Sequence, residues 1–140
     1  MFSRAFMIGG ACLAVALSGC SLTPTSSSGT AGFTGAKALV ASTLNLLSTD
    51  GSSGNGADIC KNVLSTTQRK ALNAIGNCTT IIDNQLKTID TFTVTIKSIT
   101  VTGATATARV QTELNGNKVV TSVALKNETD GWRLDSIGSL

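Results

Sequence analysis

The side chains able to do chemistry in this chain are few. There are four cysteines, at positions 12, 20, 60 and 78, and eight carboxylates spread between Asp50 and Asp135. Histidine and tyrosine are absent. Without histidine the familiar serine or cysteine triad cannot be assembled, because the nucleophile has no imidazole to take its proton. The carboxylates form no sequence-close acid–base pair: Asp83 and Asp90 read as helix-end charges, Glu113 and Asp135 as solvated strand residues. Cys60 and Cys78 are not spaced as Cys-x-x-Cys, which argues against redox catalysis, and with no histidine a metal ligand set is not completed. Asp50-Gly51-Ser52-Ser53-Gly54-Asn55-Gly56 is rich in glycine but lacks the ordered lysine and serine or threonine of a phosphate loop. The expectation is a protein that is not an enzyme and carries no cofactor and no metal. An isomerase or hydrolase would need polar groups that converge only in space.

The cysteines divide by their place in the chain. Met1–Arg4 is a short positive start, followed by an apolar run from Ala5 to Leu17 that is broken only by Gly9 and Gly10. That order fits an export signal, since the basic end stays on the cytoplasmic side while the apolar run enters the translocation machinery. The run is shorter than the roughly 20 residues that cross a bilayer comfortably. At Leu17-Ser18-Gly19-Cys20 the chain resembles bacterial lipoprotein precursors, whose motif is Leu-(Ser/Ala)-(Gly/Ala)-Cys. The resemblance implies removal of residues 1–19 as a signal peptide, diacylglycerol on the Cys20 thiol and further acylation of its new amine. Two or three chains hold firmly, at roughly 0.8 kcal/mol per buried methylene. It also implies an exported protein, anchored to the outer face of the cell membrane or to an outer membrane where the host has one. With Cys12 in the leader and Cys20 committed to lipid, Cys60 and Cys78 remain to pair, and an exported domain favours a disulfide between them.

Residues 20–32 read as the lipid anchor and a tether. Ser21 to Gly32 has no stripe that can pack and is built of residues that favour turns or open chain. Fully extended, such a segment reaches roughly 40 Å. The formal net charge of the whole chain is +3, without a basic cluster or an aromatic platform, so nucleic acid is not an expected partner.

Residues 33–140 are expected to form one domain of the α+β class, several short N-terminal helices packed on a curved antiparallel sheet of about four strands. A helix is predicted from Phe33 to Ser48, with Ala36, Leu39, Val40, Leu44 and Leu47 on its buried stripe. The glycine-rich segment from Asp50 should end it. Cys60, Val63 and Leu64 form a short helical face, and Ser65 with Gln68 offers a capping box. Ala71, Leu72 and Ile75 continue an apolar face as far as Gly76-Asn77, and a further helix is predicted from Thr79 to Leu86 with Ile81, Ile82 and Leu86 inward. The period then changes. Phe92, Val94 and Ile96 alternate with polar residues, and the phase slips at Ser98, which predicts a bulge. Ala104 to Val110 alternates, Asn115-Gly116 marks a hairpin, Val119, Thr121, Val123 and Leu125 share a face, and Asp130-Gly131 turns into a last strand with Trp132 in the core.

At Gly103-Ala104-Thr105-Ala106 and Asp130-Gly131-Trp132-Arg133-Leu134 the chain resembles small envelope proteins of the nuclear-transport-factor-two-like (NTF2-like) class, and a cystatin-like arrangement is the neighbouring alternative. The resemblance implies a bent sheet and helices forming a cone, which in many members holds an apolar pocket. The interior is nonetheless expected to be mainly filled, by the alternating alanines and valines of the sheet under the first helix. The expected function is therefore a non-enzymatic binding or interaction module with an envelope protein partner; the alternative is a carrier of a small apolar ligand in a sheet-lined cavity. Mass analysis of the membrane fraction should find the mature chain beginning at an acylated Cys20. A soluble chain with another first residue overturns the lipoprotein assignment.

Overall fold

The computed structural model describes residues 32–137, so the leader, Cys12, Cys20, the tether up to residue 31 and residues 138–140 lie outside the described residues. Helix α1 (Ala36–Ser53) runs past the expected stop at Ser48 and through the start of the glycine-rich segment. Gly51 makes this possible. It is buried, and a Cβ there would lie 2.5 Å from two ring carbons of Phe92, so the glycine lets the helix pass close to the first strand. The helix ends at Gly54, whose left-handed backbone returns its N–H to the carbonyls of Asp50 and Gly51.

The buried face of α1 carries Val40, Ala41, Thr43 and Leu44. Leu39, expected in that stripe, is 61% exposed, and Ala36 is exposed as well. The cause is polar: the Thr43 hydroxyl donates to the Trp132 carbonyl at 3.0 Å, which holds the helix rotated with Thr43 inward and Leu39 outward. One turn, α2 (Gly56–Asp58), leads into a π-helical turn (Ile59–Val63) in which the Leu64 N–H reaches back to the Ile59 carbonyl. The wider turn brings Ile59, Cys60 and Val63 together into the core.

Ser65 caps α3 (Thr66–Ile75) by accepting from the Gln68 N–H at 3.1 Å. Only this half of the capping box forms, because the Ser65 N–H goes to the Leu134 carbonyl and the Gln68 amide to the Asp135 carbonyl. Of the expected apolar face Leu72 alone packs on the core, while Ala71 is exposed and Ile75 is 79% exposed. The helix lies at the rim of the sheet, held by polar contacts, with no apolar layer beneath its last turn. Asn77 caps α4 (Cys78–Leu86), on which Ile82 and Leu86 face the core.

The four strands β1 (Phe92–Thr102), β2 (Thr105–Leu114), β3 (Asn117–Glu128) and β4 (Gly131–Ile137) form one antiparallel meander in the order β1-β2-β3-β4. The register shifts between Ile96 and Ser98, where the slipped alternation placed a bulge, and again between Ala124 and Leu125. Bulges bend strands and increase local twist, so the sheet curves around its inner face. Asn115 (φ 51°) and Gly116 (φ 81°) form the tight β2–β3 turn. The architecture is α+β, four helices on one side of a curved four-stranded sheet that does not close. Its core unites Val40 and Leu44 with Val94, Ala108, Val110, Val123, Leu125, Trp132 and Leu134.

Cys60 and Cys78 form the expected disulfide, with Cα atoms 6.2 Å apart and a sequence separation of 18. A loop of that length is worth about 3 kcal/mol in chain entropy. Replacing both cysteines by alanine should lower unfolding stability by about that amount, read as a shift of the urea midpoint. Gly51→Ala should cost about 1–3 kcal/mol in the same measurement, by forcing Phe92 away from the helix.

Candidate functional site

The layer of helices does not lie evenly on the sheet. Helix α1 packs along β1 and reaches β4, whereas α4 packs on α2 and the π-helical turn and makes no extensive contact with any strand. Two restraints hold α4 there. The disulfide ties its first residue to the π-helical turn. The Asp83 carboxylate accepts the Gly56 N–H at 2.8 Å. Gly56 allows that approach, since a Cβ there would run into Asp83 Oδ1 and come within 3.0 Å of the Asp83 backbone nitrogen.

The space left between α4 and the sheet is a partly open cavity of about 180 Å³. Ile82 and Leu86 of α4 and Leu44 and Leu47 of α1 form its roof, and Val94, Val110 and Val123 its floor. Ile89, Phe92 and Leu114 also line it. Gln85, Thr112 and Thr121 are the only polar residues in the wall, and none of the lining residues is ionisable. The interior expected to be filled is therefore filled only in part. Ala106 and Ala108 pack tightly at one end of the sheet, at 5% and 0% exposure. Toward the hairpin the cover thins: Thr121 is still buried, whereas Thr112 and Leu114 on the same face are half-buried. Val119 sits directly opposite Thr112 and so shares its face, yet it is 45% exposed, so the apolar surface continues from the cavity toward solvent.

The rim is braced by one side chain. Asn115 accepts the Asp90 N–H at 2.6 Å and donates to the Thr88 carbonyl at 3.3 Å. The hairpin turn is thereby tied to the connection between α4 and β1, on which Ile89 stands. Beyond the pocket that the NTF2-like resemblance implied, the cavity left little trace in the residue types, because its walls are those of an ordinary core. The signal that could have raised it is the pair Thr112 and Thr121, hydroxyls on the inner face of strands whose other inward positions are apolar.

A second constellation brings together residues that sequence distance had separated. Ser65, fully buried, donates to Asp135 at 2.7 Å. Lys126 lies 3.1 Å from Asp135 and 3.4 Å from Glu128, and donates to Thr67. Glu128 in turn accepts from the backbone and hydroxyl of Thr66. Asp135 is thus a partner in a cluster and not the freely solvated residue expected. Its hydrogen bond from Ser65 outweighs partial burial and, with Lys126, holds the carboxyl below its ordinary value of 3.8. For Glu128 burial opposes ionisation, but the Thr66 donors and Lys126 prevail and lower its pKa. The hydrogen bond to Asp135 raises the pKa of Lys126, so it stays protonated. Of the other three singled-out carboxylates, Asp83 clamps Gly56, and Asp90 is exposed beside the hairpin. Glu113 pairs with Lys118 at 3.7 Å.

A shallower, polar cleft of about 280 Å³ lies beside the disulfide, lined by Lys61, Arg69, Asn73 and Asn77. Its two asparagines are already used, Asn73 accepting the Cys78 N–H and Asn77 capping α4. Among the described residues no three cysteine, aspartate or glutamate side chains gather as a metal site, and no helix is long and apolar enough to cross a membrane. No protein-family model matches the chain, and no curated protein matches it.

The lowered carboxylates set a pH dependence. A group whose folded pKa is depressed stabilises the fold above its unfolded pKa and loses that contribution as pH falls through the folded value. Asp135 and Glu128 should therefore support the fold fully above about pH 5 and progressively less on acidification. Thermal unfolding of wild type and Asp135→Asn should differ at pH 7 and converge toward pH 2. A difference that stays constant over that range contradicts the assignment.

Proposed function

We propose that this chain is a lipid-anchored protein of the cell envelope, and that its domain binds a small apolar ligand in the cavity between α4 and the curved sheet without turning it over. The observation that carries the reading is the cavity, about 180 Å³, apolar and free of ionisable wall residues. A filled interior would have favoured a module acting through its surface alone. An uncharged, partly open chamber favours the carrier reading, because apolar contact there releases water from surfaces that the protein itself leaves uncovered. Helices on a bent sheet around an apolar chamber are also what the NTF2-like resemblance implies.

Non-enzymatic action is supported by the state of a hydroxyl, carboxylate and amine that converge among the described residues. Ser65 is fully buried and both donates to Asp135 and accepts from Gln68, and Lys126 is held protonated. A nucleophile needs access and an effective base; this serine is fully buried, and the carboxylate it donates to is made a weaker base by its lowered pKa. The cluster instead fastens α3 to β3 and β4.

The anchor supports the same reading. The leader and Leu17-Ser18-Gly19-Cys20 place lipid at the start of the mature chain, and the chain enters the domain ahead of α1. A domain held near a membrane in this way meets apolar ligands and envelope partners at high local concentration. An envelope protein partner is the second reading, favoured by Leu39 and Leu46, which stand 61% and 42% exposed on the outer side of α1.

Thr112 is half-buried at the mouth, so Thr112→Phe should fill the entrance without disturbing the core. An environment-sensitive dye bearing a short alkyl tail should bind the wild-type domain and bind this variant at least about tenfold more weakly, a loss of about 1.4 kcal/mol. Equal binding by a variant with unchanged thermal stability would place the apolar site elsewhere.

A further inference from the structure

We infer that the cavity is shaped for one unbranched hydrocarbon chain, and that its ligand is a single-chain amphiphile whose last six to eight carbons or so enter while its polar head stays outside. The inference rests on the binding reading above and gives that site a ligand class.

Size sets the first limit. A cavity of about 180 Å³ is only slightly larger than the ~150 Å³ engineered cavity that accepts benzene. It is well below the roughly 300 Å³ at which pockets for drug-sized ligands begin. A sterol or a two-chain lipid is too large to enter whole. What fits is a short apolar segment of a longer molecule.

Wall chemistry sets the second. No lysine, arginine, aspartate or glutamate lines the cavity, so a carboxylate, phosphate or ammonium drawn inside would lose its water without gaining an opposite charge. The charged part of any ligand must therefore stay out. The polar wall atoms are one amide and two hydroxyls, from Gln85, Thr112 and Thr121. Gln85 is exposed and Thr112 half-buried, which puts neutral hydrogen-bonding groups near solvent, where the chain would join its head.

The shape of the apolar surface sets the third. Phe92 is the only aromatic residue in the wall, so a flat ring would find no pair of faces to lie between, whereas a flexible chain needs only aliphatic contact. The apolar strip also continues outward, through Leu114 and Thr112 to the exposed Val119 on the same face of the sheet. A chain too long for the chamber has surface to lie on as it leaves. An apolar side chain offered by a protein would fill the hole without using that strip.

The test uses the full mature chain with Cys20→Ser, exported behind the signal of a soluble protein, so that its own lipid does not compete. Normal alcohols from butanol to dodecanol are titrated by displacement of the apolar dye, with benzene as a general probe of the cavity. Affinity should rise about fourfold per methylene, level off near six to eight carbons, and fall in parallel for every chain length in Thr112→Phe. If benzene binds and is blocked by Thr112→Phe while the alcohols show no dependence on length, the cavity reading stands and the chain assignment fails. If neither benzene nor the alcohols compete with the dye, both fail. A second arm offers a fluorescent single-chain lipid either below its micellar concentration or within vesicles. Uptake only from solution and extraction from the bilayer both uphold chain recognition and identify where the chain comes from; uptake from neither overturns it.

Discussion

The attachment of α4 governs the rest of this domain. Its first residue is bonded covalently to the π-helical turn, and its middle is clamped by the Asp83 carboxylate on the Gly56 N–H. Both restraints pull it toward the neighbouring helical segments and neither pulls it onto the sheet. A helix left to bury its apolar stripe would settle on the strands until the gap closed, since interiors otherwise pack to near-crystalline density. Here the cross-link and the clamp hold it off, so Ile82 and Leu86, though packed against the edge of the core, also line a space.

The opposite end of the sheet obeys the usual packing rule. There α1 is drawn close by the Thr43 hydroxyl on the Trp132 carbonyl, while farther along Gly51 passes against Phe92 with no side chain between. Alanines at 106 and 108 keep the floor low beneath it. The two bulges curve the strands around this filled half and carry the hairpin beyond the reach of the helices. One structure thus combines a tightly packed half, which supplies stability, with a loosely covered half, which supplies space.

Polar contacts do the work of apolar packing at the rim. Helix α3 buries little, yet Ser65, Gln68 and Thr66 tie it to Asp135 and Glu128 on β4 and β3, and Lys126 pairs with both carboxylates. These groups have their donors and acceptors matched, which removes the penalty that an unpaired buried group would carry. The same matching leaves Ser65 no free lone pair in an accessible position, so the cluster reads as a fastening. Asn115 performs a similar task at the cavity mouth, joining the hairpin to the loop before β1.

Local sequence determined what depends on neighbours in the chain. The change from helical to alternating period, the bulge at Ser98, the Asn115-Gly116 turn, the Ser65 cap and the inward face of β3 were all legible, because each is written in spacings of a few residues. The Cys60–Cys78 pairing was legible from the parity left once Cys12 and Cys20 are assigned to the expected leader and anchor. Tertiary structure decided the rest. The rotation of α1 that exposes Leu39, and its passage through Gly51, depend on Trp132 and Phe92, distant residues that no local pattern contains. The roles of Gly56 and Asp135 depend in the same way on partners brought near by folding. The cavity was the least legible feature of all: its walls are the leucines, isoleucines and valines of any core, and whether such residues meet or face a gap is decided by the distance at which other bonds hold their backbones.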